Sequence, residues 1–219
     1  MFKIIGTGDD DFTDKQATDA YNKAVTYLTN SDMAKFVINE LDGLDEEIVI
    51  CVGTKLTDNI KKKFAFPQVY TKRGLQDAYF HPNTDGKTLG QNIEGGVIMW
   101  DPTYDLPVTD KAKYRKHYDW VTQHTETVSK TATIFGKTFN IPGTKEVDID
   151  VVGTISAPVC LAHEMGHTMQ CFTDYDAYKK LNTTNTEDLN VEAIEHTVIN
   201  ELNEKGKTET IRWDYFHTV

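Results

Sequence analysis

Apolar residues in the early part of the chain recur first at the spacing of a strand and then at the spacing of helices. Phe2–Ile5 predicts a short strand, because apolar residues dominate it and a polar turn follows. Thr13 or Asp14 then begins a helix whose apolar positions lie three and four residues apart. They are Ala17, Ala20, Tyr21, Ala24, Val25 and Leu28. Ser31 opens a second helix, which is expected to end near Gly43.

The middle of the chain favours strands and loops. Glu47–Val52 is rich in β-branched residues and predicts a strand. Between about residues 55 and 130, Gly, Pro and Asn interrupt the pattern, which predicts loops with short strands. Gly96–Trp100 is the best strand there, either as an ordinary core strand or as an edge strand that binds an extended peptide. Residues 131–141 alternate and predict a hairpin with a turn at Gly136 and Lys137.

Helical spacing returns near residue 155 and continues to about residue 171. Ser156 is the expected N-cap of this helix. Its apolar stripe consists of Leu161, Ala162, Met165, Met169 and Phe172. A polar loop is expected over residues 174–190, with Asn190 capping a last helix that runs to about Lys205. Strands followed by helices predict an α+β fold with a small mixed or antiparallel sheet.

Composition narrows the class of protein. The 219 residues, 39% of them hydrophobic, can form a sizeable core, and we treat residues 1–219 as a single domain. No apolar run approaches the length of a membrane span, and the N-terminus lacks the features of a secretion signal. Three cysteines argue against a disulfide framework. We therefore expect folding in a reducing compartment such as the cytoplasm. Secretion, or injection into a host or target cell without a classical signal peptide, stays open.

The formal net charge of −11 argues against nucleic acid as the main partner, because phosphate binding needs concentrated Lys and Arg. The charge is too diffuse to name a target. Oligomeric state is not predicted by the sequence.

One motif specifies a chemistry. His163 and His167 lie four residues apart and so share one face of the predicted helix, where both imidazoles can reach one metal ion. Glu164 lies beside His163 and can accept a proton from a water bound to that metal. This spacing predicts a catalytic zinc site. Gly166 lowers helix propensity inside the motif, which indicates either close approach by another element or room for substrate.

A catalytic zinc site normally has a third protein ligand. The downstream candidates are Glu187, Asp188, Glu192, Glu195 and His196. Helical geometry places Glu195 inside an apolar arc, where a carboxylate should be paired or metal-bound, and places Glu192 at the edge of that arc. We take Glu192 as the ligand, because a ligand must reach past the helix flank to an open cleft. The other glutamate can orient a zinc histidine from behind.

Arg212 and Tyr215 form an Arg-x-x-Tyr pair near the end of the sequence. Either side chain could donate to the oxyanion formed when water attacks a peptide carbonyl. From these residues alone, simple packing and surface charge are the preferred explanation.

The whole set of motifs resembles the NleD-like effector metallopeptidases. The resemblance rests on His163-Glu164-x-x-His167, Glu192, Asn200, Gly206, Arg212 and Tyr215, with the segments 6–10 and 95–102. It implies a zincin-like, zinc-dependent endopeptidase, of a kind often delivered by bacteria into other cells, with Glu192 as the third ligand. The Arg-x-x-Tyr pair is also similar to that of clostridial neurotoxin light chains, which implies that Arg212 and Tyr215 assist the transition state.

The sequence thus predicts a zinc metalloendopeptidase that acts on a protein or peptide, with Glu164 as general base. Two alternatives stay open: a catalytically silent binding protein on the same scaffold, and a metal-dependent hydrolase that cleaves a non-peptide amide.

Overall fold

The structure is a computed structural model. It describes residues 1–8, 10–64, 78–82, 95–111, 116–118, 130–134, 137–141, 144–146, 150–173, 175, 178, 187 and 189–212.

Helices and strands are mixed along the chain, as expected for an α+β fold. The first part contains β1 Phe2–Gly6, α1 Asp14–Leu28, α2 Asp32–Asp42, β2 Ile48–Val52, α3 Asp58–Phe64, β3 Tyr79–His81 and β4 Val97–Trp100. The middle contains β5 Leu106–Lys111, β6 Lys116–Tyr118, β7 Lys130–Ile134, β8 Lys137–Ile141, β9 Thr144–Glu146 and β10 Asp150–Ile155. The last part contains α4 Ala157–Thr173, a π-helical turn Val191–Glu195 and α5 His196–Glu204.

A four-stranded mixed sheet in the order β1-β2-β4-β3 forms the centre of the fold. Strands β1, β2 and β4 are parallel, and β3 is antiparallel to β4. All residues of β2 and β4 are buried, as in sheets covered on both faces. One face packs with α1, α2 and α4, and the other packs with Ile60 and Phe64 of α3. Three two-stranded antiparallel pairs, β5–β10, β6–β9 and β7–β8, accompany this sheet.

Strand β4 is an interior strand, because β2 and β3 pair with its two sides. Of the two interpretations offered for Gly96–Trp100, the core strand is therefore correct. The peptide-binding edge strand is wrong, since neither side of β4 has backbone groups left for a further strand. Gly96 precedes the strand with φ of +86°, a conformation that favours glycine.

The first two helices begin and end where the sequence predicts. Thr13 caps α1 in a reciprocal capping box with Gln16. Ser31 caps α2 by accepting from the amide of Ala34 at 2.9 Å, and Gly43 is the C-cap. The predicted strand Phe2–Ile5 is β1, which is one residue longer.

Other elements differ from the prediction. Helix α3 lies where loops were expected. The hairpin is confirmed as β7 paired with β8, but Gly136 of its predicted turn lies outside the described residues. In the segment predicted as a polar loop, Tyr175, Tyr178, Glu187 and Leu189 are helical, while most other residues of 174–188 lie outside the described part.

Helix α4 is fixed at its N-terminus by groups from other parts of the chain. Asp105 accepts from the Ala157 amide at 3.0 Å, and the Trp100 indole donates to the Ala157 carbonyl at 2.8 Å. The hydroxyl of Ser156 instead donates to Glu209 at 2.6 Å. Ser156 is the N-cap residue as predicted, because its carbonyl accepts from the amides of Val159 at 2.9 Å and Cys160 at 3.0 Å. These contacts hold the helix against the sheet and the C-terminal segment.

No helix in the described part of the chain is long and apolar enough to cross a membrane.

Candidate metal centre

Helix α4 brings the two histidines of the motif together. His163 and His167 are 3% and 5% exposed. Their rings meet edge to face with centroids 4.7 Å apart, and their Nε2 atoms lie 3.1 Å from each other. The spacing of four residues gives this geometry, since such side chains lie one turn apart on one face of a helix.

Glu187 completes a group of three potential ligands. Its Oε2 lies 3.1 Å from Nε2 of His163 and 2.9 Å from Nε2 of His167. Within the described residues, these three form the group of histidine, cysteine and carboxylate side chains that could hold a metal ion.

Glu192, the predicted third ligand, does not belong to this group. Residues 187, 189 and 190 are helical, although the sequence predicted a loop up to residue 190. Asn190 faces α4, and Glu187 lies three positions earlier, on the same side of a helix. Glu192 lies two positions later, which rotates its side chain by about 200° from that side. The earlier start of the helix therefore brings Glu187 rather than Glu192 to the histidines.

Glu195 contacts His163 from the other side of the ring. Its Oε2 lies 2.8 Å from Nδ1 of His163, and the residue is 1% exposed. Its position inside the apolar arc is as predicted, and it has the role of the glutamate that orients a histidine from behind. Arg212 donates to both of its oxygens, from Nε at 2.8 Å and from Nη2 at 2.5 Å.

These contacts determine which ring nitrogens carry protons. A carboxylate accepts hydrogen bonds and does not donate them, so Nδ1 of His163 carries the proton toward Glu195. Nδ1 of His167 lies 2.9 Å from the side-chain oxygen Oε1 of Gln170, which also accepts hydrogen bonds, so this Nδ1 carries a proton as well. In the neutral rings, both Nε2 lone pairs therefore point toward the Glu187 carboxylate. Three electron-rich atoms that converge in this way need a cation between them.

The three ligand atoms lie close enough together for one metal ion to reach all of them. Tetrahedral zinc with bonds of about 2.0–2.2 Å places neighbouring ligand atoms about 3.3–3.6 Å apart, slightly farther than in this structure. The three separations observed here are 3.1, 3.1 and 2.9 Å. Two imidazoles and one carboxylate are also a donor set found in catalytic zinc sites.

Without a metal, protons take the place of the cation. Burial and the Arg212 charge oppose the charged form of His163, but hydrogen bonds to Glu187 and Glu195 outweigh them and raise its pKa to about 9. Burial opposes the charged form of Glu187, but the two histidines lower its pKa to about 2. Burial likewise opposes ionisation of Glu195, and the Arg212 charge and His163 hold its pKa well below the ordinary value.

Arg212 contacts Glu195, the carboxylate behind His163. It is 4% exposed, and its Nη2 lies 3.1 Å from Nδ1 of His163, because both nitrogens bond the same oxygen of Glu195. His196 donates from Nε2 to the Arg212 carbonyl at 2.6 Å. Burial lowers the pKa of His196 to about 4, so its ring is neutral at pH 7. Tyr215, the other half of the predicted pair, lies outside the described residues.

Glu164 is buried on α4 next to His163, and its carbonyl accepts from the Thr168 hydroxyl at 3.0 Å. Gly166 lies against Asn190. A Cβ at this glycine would lie 1.9 Å from Oδ1 of Asn190, so the glycine permits close approach by another element. Asn190 was predicted to cap the last helix. Its backbone is helical, and its Nδ2 donates to the His163 carbonyl at 2.7 Å.

From the sequence, Glu187 is one of several candidate ligands, and Glu192 is preferred to it. A local signal does exist, because Glu187 and Asn190 are three residues apart and so share a helix face. Recognising it requires knowing that the segment is helical and that Asn190 faces Gly166.

Comparison of this chain with protein-family models, with curated proteins and with solved structures finds no match. The class of protein therefore follows from the fold and the site alone. It is an α+β protein with a group of three residues that could hold a metal ion.

Proposed function

We propose that this protein is a zinc-dependent endopeptidase whose zinc is held by His163, His167 and Glu187. The observation that carries the proposal is the convergence of two imidazole Nε2 atoms on one carboxylate oxygen. Glu195 and Gln170 fix the opposite nitrogens of the two rings as donors. Each ring is therefore left with its Nε2 atom to bind a metal ion, and the carboxylate of Glu187 favours a cation there.

Zinc bound there would lower the pKa of a bound water to about 7 and polarise the scissile carbonyl. Glu164 is the residue proposed to take the proton of the attacking water and to pass it to the leaving amine. Its place directly after His163 on α4, in the His-Glu-x-x-His order, supports this role.

Arg212 and Glu195 keep the ring of His163 in the orientation and tautomer that a ligand needs. Two of the five N–H groups of Arg212, on Nε and Nη2, donate to Glu195, so this side of the guanidinium faces that carboxylate. We therefore assign its main role to positioning. Tyr215 stays the proposed oxyanion donor.

We further propose that the fold is zincin-like and that the chain belongs with the NleD-like effector metallopeptidases. The order of the motifs supports this proposal, as described for the sequence. Cys51, Cys160 and Cys171 are free thiols, which supports folding in a reducing compartment. A bacterial effector delivered into another cell fits both points.

The ligand assignment is tested by elemental analysis of purified protein. We expect about one zinc per chain in the wild type and in Glu192→Gln, and loss of zinc in Glu187→Gln. Glu192→Gln is the matched control, because it makes the same chemical change five residues away. Zinc retained in Glu187→Gln and lost in Glu192→Gln would restore the original assignment. No zinc in the reconstituted wild type would exclude the metal centre.

The activity is tested with a diverse peptide library. Glu164→Gln should retain zinc but lose activity by about 10²–10⁴-fold, because it removes the general base. Cleavage by this variant at the wild-type rate would contradict the mechanism. A zinc-loaded wild type that binds peptides without cleaving them would instead support a catalytically silent binding protein.

A further inference from the structure

Asn190 and Gly166 form a contact between the segment that carries Glu187 and the helix that carries the histidines. Nδ2 of Asn190 donates to the His163 carbonyl at 2.7 Å. On the same helix, a Cβ at residue 166 would lie 1.9 Å from Oδ1 of Asn190 and 2.9 Å from Cδ1 of Ile194. A residue other than glycine at position 166 must therefore push this segment away from α4.

The contact between Asn190 and Gly166 is not explained by the stability of the fold. Asn190 is fully buried next to the buried residue Val191 and near Ile194. Its Oδ1 has no hydrogen-bond partner within the described part of the chain. A buried polar atom without a partner destabilises a fold, and an apolar side chain of similar volume would avoid that cost. The asparagine therefore calls for a role beyond packing.

We propose that Asn190 and Gly166 are positioning residues that set Glu187 at the two Nε2 atoms. Asn190 and Glu187 are three residues apart and both helical, so their side chains lie on the same side of the chain. One binds the backbone of His163 and the other meets its ring. The amide thus fixes both the distance and the rotation of the segment relative to α4. This inference rests on the proposed metal site.

The hydrogen bond can be removed without leaving an unsatisfied group on α4. Inside a helix, the His163 carbonyl also accepts from the amide four residues later, that of His167. Loss of the Asn190 amide should therefore alter the placement of Glu187 more than the stability of the fold.

The first test is Asn190→Leu, which keeps the approximate volume and removes the amide. We expect zinc affinity, measured by competition with a chromophoric chelator, to fall at least about 10-fold. The melting temperature of the metal-free protein should stay the same or rise, because the orphaned oxygen is gone. Bound Co²⁺ should show a changed ligand-field spectrum, which a purely structural role would not alter.

Asn30→Leu is the matched control. Nδ2 of Asn30 also donates to a helix carbonyl, that of Tyr27 at 2.8 Å, but Asn30 lies just beyond α1 and outside the metal centre. This variant should leave the zinc affinity and the Co²⁺ spectrum unchanged. Equal losses of zinc affinity in both variants would show a general effect of losing such a bond and would overturn the proposal.

The second test uses the close approach of Gly166 to Asn190. Gly166→Ala should weaken zinc binding strongly, because its methyl group meets Oδ1 of Asn190. In an Asn190→Ala background the same change should cost much less, since the obstructing atom is absent. Strict additivity of the two changes in zinc affinity would overturn the proposal. This test holds even if Asn190→Leu fails to fold.

The two proposals fail in different ways. A wild type that binds no zinc removes the metal centre and the positioning role together. A wild type that binds one zinc, with Asn190→Leu showing the same affinity and the same Co²⁺ spectrum, removes the positioning role alone.

Discussion

Glu195 is a buried carboxylate that contacts His163 from outside the group formed by His163, His167 and Glu187. Its two oxygens accept from Arg212, and one of them also accepts from Nδ1 of His163. The charges of Glu195 and Arg212 balance within a region that is nearly closed to water. The orientation of His163 therefore depends on a charge pair that must remain complete.

Replacing Glu195 with glutamine tests this dependence. We expect the free energy of unfolding of the metal-free protein, measured with urea, to fall by about 3–5 kcal/mol, because Arg212 keeps a buried charge without a counter-charge. Zinc affinity should fall about 10–100-fold, since the amide holds His163 less firmly.

Glu192→Gln is again the control and should change neither quantity by much. Complete loss of stoichiometric zinc in Glu195→Gln, with zinc retained in Glu187→Gln, would show that Glu195 is the ligand itself.

At the level of elements, the caps and the long-range contacts differ in how far the sequence could predict them. Thr13 and Ser31 begin their helices as expected, because a cap depends on residues three positions away. The same locality makes His163 and His167 predictable. The contacts of Glu187 and Asn190 could not be predicted, because they depend on a neighbouring helix 20 or more residues earlier. The parallel pairing of β1, β2 and β4 is equally non-local.

Ser31 also links two helices. Its hydroxyl accepts from the Ala34 amide and donates to Glu201 of α5 at 2.6 Å, and the same Glu201 oxygen accepts from the Met33 amide. Ser31→Ala should therefore lower the free energy of unfolding by about 1–3 kcal/mol. Loss of an N-cap side chain alone typically costs about 1 kcal/mol.

Thr29→Ala is a suitable control, because its exposed hydroxyl donates only to the local Thr26 carbonyl among the described contacts. It should change stability by less than about 0.5 kcal/mol. Equal effects of the two substitutions in urea unfolding would show that Ser31 does not link α2 to α5.

For the whole molecule, the titratable group of His163 and Glu187 couples stability to pH. In the metal-free protein the pKa of His163 is raised from 6.5 to about 9. The folded state thus binds this proton more tightly than the unfolded state, and the resulting stability is complete below pH 6.5. It is lost as the pH rises toward 9. For Glu187, whose pKa is lowered from 4.5 to about 2, the stability is present above pH 4.5 and is lost as the pH falls toward 2.

Removal of zinc should therefore matter most at high pH. Zinc bound as we propose would compete with the proton on His163, so its binding should strengthen between pH 6.5 and 9 while the metal-free protein loses stability. We expect the difference in melting temperature between zinc-loaded and chelator-treated protein to widen across this range. Scanning calorimetry at several pH values measures it. A difference that narrows with rising pH would contradict the charge arrangement described for the site.

The position of Arg212 late in the sequence has a consequence for synthesis. The histidines leave the ribosome 45 or more residues before Arg212 does. Until then Glu195 has no guanidinium to balance it, and burying it beside His163 is unfavourable. The finished geometry of the site therefore waits for the last part of the described chain. A growing chain therefore contains His163 and His167 for some time before Glu195 and Arg212 can together fix the orientation of His163.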